Sequence, residues 1–558
     1  MTQYSSTGRF VDLVKDNALS GHNVKYPAVS INEYGKYMDI SYENYYNITC
    51  HSASYFYEKL KYLSFMDNRN VGLLSYSDSH YLWNMIGLMS TNVAPVLLSP
   101  RNSIEATIHL LKESGSRALI YQDYFKDLVK DIQKEIPHMV LIPKWTASFP
   151  ECLSPAYYKL LVPLESKEVE LGKVSFTLHS SGSTSFPKLV SKLNLTLHNS
   201  GYRASLSNIP LDRKELSFYP FFHAAGILTM VINSLYLKKT FILSPDMGPG
   251  SHFSSKMILE LIQGLSPKVL QLLPLMVKEL IEYCDHVNSS KGWGILKKIE
   301  VVRYGGAQLP KSMIQSLIYN GISPFSSYAS TECGVLMRSI PIKSGEYLNP
   351  LAIVEDVRYT LKDCGDSVVE LIILKDDPCL SCVQDRDEDG NYPTKDLFKI
   401  ISCKPLLFDY LSRADDTIIH INGEKTNPIP MEDIINRCPY VDVCAVLGAG
   451  QQMNTLLVQL EVNEVMSSSL PSVISTIKSF VKSANESAPS HSRIYEEMII
   501  YLPMNYKKKL PVTIKGNLQR AKCAKVFEEE IKESVEKMES GYVSDEAHGL
   551  HSSPFVGG

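Results

Sequence analysis

The sequence predicts an α/β protein. A large N-terminal part has mostly parallel sheets flanked by helices and a small β-rich subdomain, and a small α+β part follows it. Three observations carry this reading. Short apolar runs alternate with longer helical patterns up to about residue 330. From about 350 to 403 the chain turns to strands separated by turn-rich segments, and beyond about 417 short strands and helices resume on a smaller scale. Strand and helix in alternation imply parallel pairing through crossover helices. A chain of 558 residues, 44% of them apolar, can bury more than one core.

The elements follow in order. "VGLLSYS" (71–77) reads as a strand and "HYLWNMIGLMS" (80–90) as the helix after it. "VAPVLLS" and "RALIYQ" are strands enclosing the helix "SIEATIHLLKES". "KVLQLLP" and "IEVVRYGG" repeat the pattern, and the helix "KSMIQSLIYN" leads to a strand near 325. "TIIHING", "CAVLGAG" and "LLVQLE" supply the strands of the smaller part. Near the end, Val526, Phe527, Ile531, Val535 and Met538 share one helical face, and the pattern stops near Gly541. Residues 541–558 are polar and expected to be disordered. No internal repeat is visible.

Composition excludes several classes. A net charge of -4 argues against a broad nucleic-acid surface, which needs clustered excess Lys and Arg. Eleven scattered Cys fit reduced thiols of a cytoplasmic protein better than a disulfide framework. No apolar segment marks the N-terminus as a secretory signal. The apolar stretch "YLWNMIGLMSTNVAPVLL" is interrupted by Asn84, Ser90, Thr91 and Asn92, so no membrane span is expected.

The chemistry starts at "LHSSGSTSFPKLV" (178–190). Ser180, Ser181, Ser183 and Thr184 carry hydroxyls, Gly182 lies among them, and Lys188 follows. Free backbone N–H groups, hydroxyls and a cation can converge on phosphate. The run lacks the G-x-x-x-x-G-K pattern of a P-loop, and alone it reads equally well as a surface turn. Four further segments accompany it: "SSYASTECG" (326–334), "YPTKDLF" (392–398), "LSRADDTIIHINGEKTNPIPMEDII" (411–435) and "LPVTIKGNLQR" (510–520).

In this order the five segments resemble the core motifs of the adenylate-forming superfamily of acyl-CoA synthetases, luciferases and peptide-synthetase adenylation domains. The resemblance runs from Val71 to Arg520. It is closest to the adenylation part of fungal adenylate-forming reductases, which resemble nonribosomal peptide synthetases, on "YPTKDLF", "NGEKTNPIPMED" and the terminal Lys-Gly pair.

The resemblance implies an adenylation core over 1–412, holding ATP and the acyl pocket, and a mobile C-terminal lid domain over 413–540. By motif position, Ser180 to Lys188 would hold the β- and γ-phosphates of ATP. Glu332 would bind Mg²⁺, Thr331 would sit at the α-phosphate, and Asp396, helped by Arg413, would accept the ribose hydroxyls. "RYGGAQL" (303–309), with Gly306 and Ala307, would contact adenine alongside Tyr328. Lys515 would bridge the attacking carboxylate and the α-phosphate, and Asp415 stands at the hinge position.

His223 in "FYPFFHAAGI" would line the acyl pocket; the other reading is a buried histidine satisfied by backbone. No aspartate lies between Phe221 and Met230 to pair with an α-ammonium, so an aryl, keto or fatty acid is expected. Several positions depart from the motifs: Ser185, Leu189, Ala329, Lys395 and Ser412 stand where glycine is usual.

The activity implied is formation of acyl-AMP from a small-molecule carboxylic acid, then transfer to a pantetheine thiol. The acceptor would be CoA or the phosphopantetheine of a separate carrier protein. After Arg520 only one helix and a polar tail remain, too little for a carrier domain; the basic run from Lys507 to Lys525 reads equally as a solvated face or as a site for the CoA phosphate, which tilts the expectation narrowly to CoA. The alternative is a catalytically silent homologue that binds nucleotide or acyl ligand. Two further patterns carry other readings. "DRDEDG" (385–390) imitates a calcium loop but reads as a solvated turn, and "CLSC" (379–382) has metal-ligand spacing without a second pair.

Overall fold

The computed structural model describes residues 4–20, 27–33, 35–63, 69–155, 163–180, 187–206, 214–246, 253–287, 289–306, 308–340, 349–383, 385–416, 418–420, 425–461, 465, 469–486, 488, 490–502, 508–513 and 518–539. Contacts divide the chain into two compact units. The first comprises Met1–Thr360, Ile372–Pro393 and Ile401–Phe408; the second comprises Leu361–Leu371, Thr394–Ile400 and Asp409–Gly558. Asp396 and Arg413 therefore share the second unit.

The first unit carries two sheets. One orders its strands Val140–Pro143, Ala118–Tyr121, Asn70–Leu74, Ala94–Leu98, Val174–His179 and Leu189–Leu193. All neighbours are parallel except the last pair, which is antiparallel. The expected strand at 71–77 and helix at 80–90 appear as Asn70–Leu74 and Ser79–Ser90. Asp78 caps that helix by accepting the Tyr81 amide at 2.7 Å, and the helix is buried almost throughout. Its one interior amide, Asn84, donates to the Trp145 and His80 carbonyls, so the polar group costs little in the core. Among the described residues no helix is long and apolar enough to cross a membrane.

In the other sheet five parallel neighbours, Ser323–Ser330, Val301–Gly305, Val269–Gln271, Glu215–Ser217 and Phe241–Leu243, form the centre. Val29–Glu33 continues it in parallel and Lys36–Ile40 closes it antiparallel. On the opposite side Gly334–Ser339 and Leu351–Ile353 are antiparallel additions. Glu215–Ser217, Phe241–Leu243 and Val269–Gln271 are buried throughout, as parallel strands joined by crossover helices are.

The second unit has a three-stranded sheet of Val441–Leu447, Asn454–Leu460 and Ile494–Leu502. Helices Ile429–Ile435 and Leu470–Glu486 pack on one face through Ile435, Val473, Ile477 and Val481. Phe527, Cys523 and Leu510 cover the other. The helical face expected from 526 is interrupted: Arg520–Val526 and Glu528–Glu539 are separate helices, and the fully buried Phe527 leaves helical geometry between them. In "TIIHING" Ile418–Ile419 is a strand, while residues 417 and 421–423 lie outside the described residues. All eleven cysteines are free thiols.

Candidate functional site

Two hairpins of the first unit carry much of the predicted site. The strands Val174–His179 and Leu189–Leu193 pair with His179 opposite Leu189, and the Ser180 amide donates to the Lys188 carbonyl at 2.9 Å. Ser180 and Lys188 thus form the neck of the hydroxyl-rich loop, while Ser181, Gly182, Ser183 and Thr184 lie outside the described residues. The Lys188 ammonium donates to both carboxylate oxygens of Asp385, at 2.9 and 2.7 Å, on the exposed surface. At the same neck, His179 Nε2 accepts the Ser99 amide at 3.1 Å. Burial pushes the His179 pKa down to about 4, against a hydrogen bond at Ser180 that favours the charged form, so the imidazole is neutral near pH 7.

The second hairpin joins Ser323–Ser330 to Gly334–Ser339, with Thr331, Glu332 and Cys333 in its loop. Gly334 takes a φ of 70°, the left-handed conformation that lets so short a loop close. The Ser330 hydroxyl accepts the Cys333 amide at 3.0 Å, and an irregularity at Tyr328/Ala329 re-aims the end of the strand that carries half-buried Tyr328. The Glu332 carbonyl accepts the Ser381 amide at 2.9 Å. Among the described residues the Glu332 carboxylate makes no hydrogen bond or ion pair, which leaves its oxygens to a hard cation such as Mg²⁺.

His223 starts the helical turn Ala224–Gly226, its Nδ1 accepting the Ala225 amide at 3.3 Å, and stays half-buried. The π-helical turn Ile227–Ile232 follows. At the end of strand Val301–Gly305, a Cβ on Gly305 would lie 2.8 Å from the Ser327 carbonyl oxygen, and Gly306 takes a φ of 88°. The glycine pair is thus required by close approach and by backbone conformation. Ala307 lies outside the described residues.

In the second unit Asp396 is buried, its amide donating to Thr394 Oγ1 at 3.1 Å and one carboxylate oxygen accepting the Tyr410 hydroxyl at 3.3 Å. Burial first, and then the charge of Asp396, push the Tyr410 pKa up, while Arg413 pulls it down, which places Arg413 in the same neighbourhood. Lys395 holds a φ of 60°. Lys515 lies outside the described residues; to either side of it, Val512 forms an antiparallel bridge with Leu518. Arg520 donates to the Glu432 carboxylate at 2.6 and 2.9 Å and to the Val446 carbonyl at 2.7 Å. The backbone at Asp415 belongs to the helical turn Ala414–Asp416.

Sequence reasoning missed the supports. Buried Arg203 donates through Nε to Asp356 and through Nη2 to Asp377, at 2.9 Å each, and through Nη1 to the Cys333 and Val335 carbonyls at 3.3 Å. It thereby holds the residues just after Glu332. "CLSC" belongs to this strap: Cys379 is buried and receives the Ser200 hydroxyl, whereas Cys382 is exposed. In "DRDEDG", Asp387 Oδ1 accepts the amides of Asp389 and Asn391, so the run is a self-capped turn. Lys192 and Ser381 are also new: the Lys192 ammonium is buried and donates to the Ser381 hydroxyl. Motif spacing gave no signal for any of these, because each acts through tertiary contact.

Residues 17–378 match the family described as AMP-binding enzyme, and residues 415–539 match its C-terminal domain. An adenylate-forming reductase, Nps10, of Heterobasidion annosum is 25% identical over 490 residues, covering 83% of this chain and 43% of that protein. A carboxylic acid reductase of Neurospora crassa is 24% identical, covering 87% of this chain and 46% of its own length. The chain therefore spans less than half of these relatives. The crystal structure of the anthranilate CoA ligase AuaEII with anthranoyl-AMP has a TM-score of 0.73 at 16% identity, covering 94% of this chain and 98% of that one. The adenylation domain of a carboxylate reductase from Mycobacterium chelonae has a TM-score of 0.70 at 16% identity, covering 95% and 91%.

Proposed function

The chain belongs to the AMP-binding enzyme family, and from that premise we propose that it activates a carboxylic acid bearing no α-ammonium and passes the acyl group to a pantetheine thiol. The observation that carries the reading is the hairpin that presents Thr331 and Glu332, whose carboxylate has no partner among the described residues, within the matched family region.

In the first step a carboxylate oxygen attacks the α-phosphorus of ATP. The bond from that phosphorus to the bridging oxygen breaks, and pyrophosphate leaves. The Ser180–Lys188 hairpin holds the departing phosphates, Asp396 accepts the ribose hydroxyls with Arg413 beside it, and Glu332 would hold Mg²⁺. The metal would neutralise phosphate charge. Two anions meet in this step, so Lys515 between them supplies about 4 kcal/mol for one charge pair at about 4 Å and an effective dielectric near 20.

In the second step the thiol, having lost its proton, attacks the acyl carbon and AMP leaves. Lys515 serves the first step alone, and the lid domain turns about Asp415 between the two. Lys515→Ala is expected to abolish adenylate formation while sparing thioester formation from preformed acyl-adenylate and CoA. Equal loss of both half-reactions would contradict the division, and discharge only to an added carrier protein would replace CoA as acceptor.

A further inference from the structure

The segment from Asp377 to Cys382 touches both hairpins of the first unit. On the side of the Thr331–Glu332 turn, the Ser381 amide donates to the Glu332 carbonyl at 2.9 Å. On the side of the phosphate hairpin, Cys382 forms an antiparallel bridge with Ser191. Between these contacts stands Lys192, on the strand that leaves the phosphate hairpin and opposite Phe176. Lys192 is 6% exposed and Ser381 1%. Among the described residues the Lys192 ammonium has a single hydrogen-bond partner, the neutral Ser381 hydroxyl, and no carboxylate within ion-pair distance. One chain of bonds thus runs from the phosphate strand through Lys192 and Ser381 to the backbone of Glu332.

A buried ammonium balanced by one hydroxyl is destabilising, and a methionine of similar length would fill the space without that cost. The cavity that Lys192 shares with Ser200 and Thr331 has about 10 Å³ of room, about one water, so no substrate reaches the ammonium there. Its hydrogen bond serves the protein's own groups, and the group it reaches is the node that carries Glu332.

We propose that Lys192 is a positioning residue: through Ser381 it holds the Glu332 turn in register with the phosphate hairpin, so that metal and nucleotide phosphates are bound together. This rests on the reading of Glu332 as the Mg²⁺ ligand and of the hairpin as the phosphate site. A metal already held by phosphates meets a protein carboxylate only at a set separation. Groups behind a metal ligand fix that separation, and their loss weakens the metal contact while the ligand itself stays in place.

Calorimetric titration of the full chain with ATP, in Mg²⁺ and in EDTA and without any acid, tests this. The ratio of the two affinities measures the coupling between metal and nucleotide. Wild type, Lys192→Met, Glu332→Gln and the double variant form a cycle. Lys192→Met is expected to lower the ratio about tenfold and to leave the affinity in EDTA within about twofold. Its urea midpoint is expected to stay unchanged or rise, since a buried charge is removed. In the Glu332→Gln background the same substitution changes the ratio no further. Ser381→Ala, which breaks the chain of bonds at its other end, lowers the ratio as well. An unchanged ratio in Lys192→Met or in Ser381→Ala, or an equal fall with and without Glu332, would overturn the proposal. So would a lowered urea midpoint in Lys192→Met together with weaker ATP binding in EDTA, the mark of a packing residue. Wild-type affinity for ATP that ignores Mg²⁺ would instead overturn the metal reading of Glu332, and this proposal with it.

Discussion

The two hairpins of the first unit are held in opposite ways. The Thr331–Glu332 turn rests on buried groups: Arg203 is held by Asp356 and Asp377 and grips the carbonyls of Cys333 and Val335, while the Ser381 amide binds Glu332. At the neck of the Ser180–Lys188 hairpin, beside the Ser99–His179 hydrogen bond, the Ser180–Lys188 backbone hydrogen bond and the exposed Lys188–Asp385 pair serve instead. The difference follows the work proposed for each. A metal-binding carboxylate has to be pre-positioned, because reorganising a charge at the moment of reaction raises the barrier. A loop that receives a triphosphate and releases pyrophosphate has to exchange one partner for another, and a solvent-screened ion pair is weak enough to give way.

The largest effect expected from this contrast at neutral pH is at the buried strap. Asp377→Ala takes away one of the two carboxylates on buried Arg203, leaving Nη2 unpaired while Asp356 stays on Nε, and is expected to cost about 2–3 kcal/mol, read as a lowered urea midpoint. A loss below about 1 kcal/mol would show that the strap does not hold the turn. Next comes the histidine at the neck of the phosphate hairpin. His179 has a folded pKa near 4, below the ordinary 6.5, so the unfolded chain takes up the proton first. Stability from this group is therefore complete above pH 6.5, falls as pH drops toward 4, and is then constant, a change of about 3 kcal/mol. His179→Gln, which can still accept the Ser99 amide, is expected to flatten that part of the profile. The smallest effect is at Lys188. Asp385→Asn is expected to change stability by less than about 0.5 kcal/mol and to lower the KM for ATP about twofold, by freeing the lysine. A large loss of stability there would mean that the two hairpins are held alike.

What the sequence made legible divides along similar lines. The alternation of apolar runs and helical patterns revealed the strands at 70–74 and 94–98 and the helices after them, since period and turn residues are local properties. Motif order singled out Glu332, Asp396 and Arg413 as candidates. Lys395 shows how local reading can reach backbone geometry: it stands where glycine is usual, and its φ of 60° is the conformation glycine adopts freely. Arg203, Asp377 and Ser381 were illegible because they are far apart in the chain and meet only through the fold. Lys192 was missed because a lysine four residues after Lys188 reads as one more solvated charge, and burial has no sequence signature. The break at Phe527 was missed because the apolar period continues through it, although the residue is needed in the core.

The central claim is that this chain joins a carboxylic acid to AMP with Glu332 at the metal. The most direct measurement is acid-dependent ATP–pyrophosphate exchange across a panel of acids, for the wild type and Glu332→Gln. Exchange stimulated by aryl, keto or fatty acids, and reduced by about a hundredfold in Glu332→Gln, is the result predicted. No exchange with any acid, or exchange driven best by an ordinary α-amino acid and untouched by Glu332→Gln, would contradict it.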